Sequence, residues 1–283
     1  MKENKNQIVP NTTLFSLLIY LLSFGVWTFS YSFSTKNDFT TNSFFEKILP
    51  FSSFFAYIFT FVLMLLNSVM LTRIIEKYGI IRVKTFMPNL VYVTLVTFYF
   101  PFHGNYLAQI STFLIMSIFM VIFDAYKLKD ATENSFLISL ILSSMVIFDS
   151  NWIFLLPLIW VIYKTLKSLS FKVILASLLG VITPLITIYG YSYLLDDKLL
   201  DLSFIIENIL TFSFPNLSNL PFLIYMGILI LLFVFSILQM PILIRQDALK
   251  PREYQFVLKL FFAFLVLFFF VKNSTILNFL PIF

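Results

Sequence analysis

The sequence predicts an all-α, polytopic helical membrane protein of about nine membrane segments with its N-terminus inside. Three observations carry that prediction. Hydrophobic residues make up 60% of the 283 and charged residues only 12%, with a mean hydropathy of +0.94; a soluble surface needs about a quarter of its residues charged. The apolar residues come in long unbroken runs rather than the alternating pattern of a β-barrel, on the scale of the ~20 residues a spanning helix needs. The Lys and Arg residues fall mostly in alternate loops, the bias that insertion imposes.

Taken in order, the segments read as 12–33, 50–72, 86–102, 106–123, 135–148, 151–163, 171–194, 220–244 and 255–271. Lys2 and Lys5 precede the first run, which is too long for a signal-peptide core and ends without a small-x-small cleavage site, so it reads as a retained helix. With the N-terminus inside and strict alternation, 14 of the 19 Lys and Arg lie inside, four lie outside and Lys259 lies within the last helix, where it can snorkel inward. Pro101-Phe102-His103-Gly104-Asn105 supplies the breakers for a tight outer turn between the third and fourth segments.

The charge pattern decides the middle of the chain. If 135–163 were one long helix, the basic loops flanking it would lie on opposite sides and every later loop would invert. Two passes keep both loops inside, so this stretch reads as a short-helix hairpin with Asp149-Ser150-Asn151 at its outer tip, either fully spanning or re-entrant. Pro157, Pro184 and Pro241 each remove a backbone donor and are expected to kink their helices. The longest polar interruption, 196–219, carries Asp196, Asp197, Asp201 and Glu207 among apolar residues at helical spacing, and reads as an outer amphipathic segment. The whole of 1–283 therefore reads as a single helical membrane domain, and its apolar ending, TILNFLPIF, suggests a native chain that continues.

Several chemistries are excluded or left without a motif. There is no cysteine, and His103 is the only histidine, so disulfides, thiolate sites and multi-histidine metal sites are ruled out and no metal is expected. No P-loop, GxGxxG, HExxH or GxSxG occurs, and no cofactor is expected. The net charge of +5 follows from topology and not from nucleic-acid binding, since no dense basic cluster is present.

The residues left as candidates for chemistry are few. Asp149 stands between two apolar runs, where a carboxylate is costly unless it faces water, a partner or a cavity; its roles are proton carrier, general base or substrate contact, or a cap ending one helix and starting the next. Asp38 and Glu46 share the first outer loop with Lys36 and Lys47, as an acid–base pair, a holder of a divalent ion or a solvated neutral loop, the last being the plainer reading. Trp152 reads as part of an interfacial aromatic belt or as a stacking platform for a sugar. His103 reads as a polar turn residue or a lone acid or base. Arg73 and Lys77, in RIIEKYGIIRVK, suit lipid phosphates as well as topology.

Residues 50–195, with LNSVMLTRIIEKYGI, KTFMPNLVYVTLV, DATENSFLISLILSSMVIFDSNWIFLLPLIW and SLLGVITPLITIYGYSYLL in that order, resemble an uncharacterised family of polytopic bacterial inner-membrane proteins, the domain of unknown function 6427 family. That resemblance implies a membrane location and no activity. An inside N-terminus, an outer loop after the first helix and paired short helices are also similar to the membrane module of GT-C glycosyltransferases, which use polyprenyl-phosphate-linked sugars. This second resemblance implies a GT-C-like topology and a catalytic acid in the first outer loop, at Asp38.

The expectation for function is a non-catalytic subunit or scaffold of a bacterial inner-membrane, cell-envelope complex. Its partners would be the lipid bilayer and other inner-membrane or envelope proteins. The alternatives are a GT-C-like glycosyltransferase acting at the outer face and, third, a transporter, for which Lys259 and the kinking prolines are the only qualifying features.

Overall fold

The computed structural model describes residues 12–33, 53–81, 85–99, 103–194, 220–244 and 249–271. Among these residues every regular element is helical. Nine α-helices follow one another: α1 (Thr12–Phe33), α2 (Ser53–Tyr78), α3 (Met87–Phe98), α4 (Tyr106–Asp124), α5 (Thr132–Phe148), α6 (Leu155–Thr165), α7 (Phe171–Leu194), α8 (Leu220–Ile244) and α9 (Leu249–Val271). A 3-10 turn, Ser150–Phe154, joins α5 to α6. By length and composition, the described stretches Phe54–Tyr78 and Tyr106–Asp124 are long and apolar enough to cross a membrane; the apolar stretches of α1, α3, α5, α7 and α8 are shorter.

Local chemistry sets the helix ends. Pro88 stands in the first turn of α3, where its missing N–H has no partner to lose. Asn105 caps α4, its Oδ1 accepting from the Ala108 N–H at 3.1 Å. Asp130 Oδ1 accepts from the N–H and hydroxyl of Thr132 just before α5. Those bonds, made to its ionised form, hold its carboxyl below the usual range. Gly79 closes α2 at φ +61°, with Ile80 N–H reaching back to the Ile75 carbonyl. Lys167 takes the same left-handed position after α6, with Ser168 N–H on the Tyr163 carbonyl.

Helix direction alternates through the bundle, and the side-chain pairs show it. Thr60 meets Gly104 while Asn67 meets Gln109 and Tyr78 meets Met120, so α2 and α4 run parallel. Ser135 donates to the Val173 carbonyl (2.8 Å) and Ser143 to the Val181 carbonyl (2.7 Å), so α5 and α7 run parallel and α6 must return between them. Lys127 N–H donates to the Leu166 carbonyl, fixing the end of α6 beside the start of α5. On the other flank, Phe119 packs on Phe261 and Phe123 on Tyr254, making α9 antiparallel to α4. Phe233 stacks on Phe262 while Lys259 donates to the Ser236 carbonyl, making α8 antiparallel to α9. The Lys259 ammonium is thus held against α8.

The α5–α7 contact is a close one, and small residues make it so. A Cβ on Gly180 would lie 2.6 Å from the Phe136 carbonyl oxygen and 2.8 Å from Ser139 Cβ. Ser135, Ser139 and Ser143, four residues apart, form one fully buried stripe facing that approach. Trp160 Nε1 then ties α6 to the same helix by donating to Ser177 Oγ at 2.9 Å. Pro157 falls in the first turn of α6, where it removes no needed donor, and not in a helix interior. Pro184 does lie inside α7. The amphipathic segment expected at 196–219 lies outside the described residues.

Candidate functional site

Two polar sites lie at opposite ends of the helices. At the α3–α4 turn, His103 is enclosed, with 3% of its surface exposed. Its Nε2 lies 3.1 Å from the Thr97 carbonyl and its Nδ1 2.6 Å from Ser30 Oγ. A carbonyl only accepts, so Nε2 carries the proton of the neutral ring, and Nδ1 shares the single Ser30 hydroxyl proton with the Trp27 carbonyl, 2.8 Å from Ser30 Oγ. The imidazole stacks on Trp27 with ring centroids 3.8 Å apart. Trp27 Nε1 donates to the Tyr57 carbonyl, and Gly104 N–H donates to Thr60 Oγ1. Four helices therefore meet around one imidazole. Burial disfavours its charged form and pushes its pKa down to about 4, against the opposing pull of the Thr97 carbonyl. At neutral pH this ring is a fixed, uncharged hydrogen-bonding wedge.

At the other end, Lys77 Nζ pairs with Asp124 Oδ2 at 2.9 Å, both side chains about half exposed (48% and 50%). Such a pair contributes about 0–1 kcal/mol. The Tyr78 hydroxyl reaches both the Met120 carbonyl and Asp124 Oδ1, and Tyr254 donates to the Phe123 carbonyl. Lys250 lies over the rings of Tyr126 and Tyr254, Lys127 over Tyr126 and Lys77 over Tyr78. Arg73 is exposed one turn before Lys77. The arrangement is a basic, tyrosine-lined rim over the ends of α2, α4 and α9.

The remaining sequence candidates separate clearly. Asp149 ends α5 and opens the 3-10 turn, its Oδ1 accepting from the Asn151 N–H (3.0 Å) and Nδ2 (2.9 Å). Trp152 has no exposed surface. The 3-10 turn folds it into the core beside α5 and α6. Asp38 and Glu46 lie outside the described residues. The structure therefore does not bring His103, Asp149 and Lys77 into one centre. No group of three or more His, Cys, Asp or Glu suited to a metal ion occurs among the described residues.

Some residues that matter here were missed by sequence reasoning. Ser30 and Trp27 look like ordinary members of an apolar first helix, and their partner lies 73 residues away from Ser30. Asn67, Gln109 and Tyr92 likewise sit inside apolar runs. Only the serine stripe 135–139–143, with Gly180, had a readable signal, as small residues at fourfold spacing. No known family, curated protein or solved structure matches this chain.

Proposed function

We propose that the chain is a multi-pass protein of the bacterial inner membrane, with a cytoplasmic N-terminus, serving as a non-catalytic subunit or scaffold of a cell-envelope complex. One observation carries this reading. Among the described residues, every Lys and Arg except Lys259 stands at the same end of the alternating helices: Arg73, Lys77, Lys127, Lys129, Lys164, Lys167, Lys172, Lys250 and Arg252. A one-ended distribution of cations is what the positive-inside rule produces, with that end in the cytoplasm.

Two further features support it. Large apolar side chains face outward along α1, α2, α7 and α8, including Leu21, Phe55, Leu179, Leu231 and Leu238, which suits acyl chains or neighbouring helices. Three of the candidate side chains are spent on holding helices: Asp149 on its turn, His103 on α1 and α3, Lys77 on α4.

Purification in mild detergent tests the subunit reading. The expected outcome is co-purification of other membrane or envelope proteins in fixed stoichiometry; a clean monomer from a chain shown to be functional in cells overturns it. The glycosyltransferase alternative has its own test. Asp38→Asn should leave cellular function intact, whereas loss of function in an abundant, inserted Asp38→Asn protein favours the enzyme.

A further inference from the structure

The core between α2, α3 and α4 holds three buried polar atoms with no protein partner: Asn67 Oδ1, Gln109 Nε2 and the Tyr92 hydroxyl. Asn67 and Gln109 have no exposed surface, and Tyr92 has 8%. The three residues adjoin one another. Asn67 Nδ2 donates to the Gln109 main-chain carbonyl at 3.0 Å and to Gln109 Oε1 at 3.2 Å. The Tyr92 hydroxyl lies beside Asn67 and Thr112 without a well-formed hydrogen bond to either.

Hydrogen-bond chemistry fixes which way each amide faces. The Gln109 carbonyl can only accept, so Asn67 must present Nδ2 to it and turn Oδ1 away. Gln109 receives Asn67 through Oε1 and so turns Nε2 away. The Thr112 hydroxyl is committed as a donor to the Ala108 carbonyl at 2.8 Å. No flip of either amide satisfies the set. Buried polar atoms in folded proteins are nearly always partnered, by protein or by ordered solvent, because a bare one forfeits its full hydration.

We propose that this locus is a binding site for one small neutral molecule of water size, which accepts from Gln109 Nε2, donates to Asn67 Oδ1 and bonds the Tyr92 hydroxyl. The donor–acceptor mixture selects that class. The Gln109 amino group opposes a cation, and the Asn67 carbonyl oxygen opposes an anion. Met64 and Val93, both fully enclosed on the same helices, leave a larger guest no obvious place. Three hydrogen bonds are also the usual complement of a buried water. The inference concerns the core and does not rest on the subunit reading.

Two measurements test it. A crystal structure at a resolution that shows ordered solvent is expected to place density within hydrogen-bond reach of all three atoms. Tyr92→Phe, which removes only the hydroxyl, is expected to lower the thermal midpoint in detergent by about 2–4 °C. Tyr92 bonded directly to Asn67 with no density between the amides overturns the proposal. So does a Tyr92→Phe midpoint equal to or above that of the parent, the result expected for deleting a bare hydroxyl.

Discussion

His103 carries the clearest pH dependence of any single residue. Its pKa is about 4 in the fold and about 6.5 in an unfolded chain. Between those values the unfolded chain binds the proton and the folded one does not, so stability is complete above about pH 6.5 and declines as pH falls toward 4. The loss at the lower limit is about 3 kcal/mol, an order-of-magnitude figure for a group this enclosed. Thermal midpoints between pH 7.5 and 4.5 should therefore fall more steeply for the parent than for His103→Gln; parallel profiles count against the assignment. Nothing in the sequence announced this. A histidine in a Pro-Phe-His-Gly-Asn turn looks exposed, and its burial comes from Trp27 and Ser30, residues on another helix. Asp149 was more legible, because its cap partner Asn151 is two positions away and visible in the same line of sequence.

At the scale of elements, the α5–α7 contact sets the geometry of the middle of the chain. Gly180→Ala should destabilise the protein by about 1–3 kcal/mol, because the added methyl meets the main chain of α5 and not a movable side-chain tip. Gly227→Ala, on α8 with nothing within 4 Å of its added Cβ, should be neutral or stabilising by up to about 1 kcal/mol. Unfolding midpoints of the two variants make the comparison, and equal effects would contradict the close approach. Apolar runs located the helices well but their ends less well. The run ends at residue 72 in hydropathy, whereas α2 continues to Tyr78, because Arg73, Glu76 and Lys77 are good helix formers that merely face outward. In the opposite sense, the apolar run from Asn151 hides a 3-10 turn, since hydropathy does not distinguish a turn from a helix. That local tightening is what carries Trp152 inward.

For the whole molecule, direction and charge were the legible features and contacts were not. The alternating direction of the described helices agrees with where lysines and arginines fall in the sequence, a pattern read loop by loop that needs no long-range pairing. The interior was opaque because polar residues within apolar runs, such as Asn67 and Gln109, find partners only through the fold. The orientation is directly testable, since the chain has no cysteine of its own. A single cysteine at Lys129 should react with a membrane-impermeant maleimide only after cells are permeabilised, and one at Ser150 or Asn105 should never show that protected pattern more strongly than Lys129. The reverse order would invert the proposed orientation.

The hydrogen bond from Lys127 N–H to the Leu166 carbonyl makes α5, the 3-10 turn and α6 a closed excursion. The chain departs and returns at one point, as an inserted module would. The loops on either side of the excursion are therefore joined at its mouth, while α7 takes its position from α5 within it. A nick at its tip, beside Asp149, would leave both halves anchored, α5 by its serines on α7 and α6 by Trp160 on Ser177. The left-handed lysines Lys127 and Lys167 sit at that mouth, where a backbone preference of a single residue governs the placement of two helices.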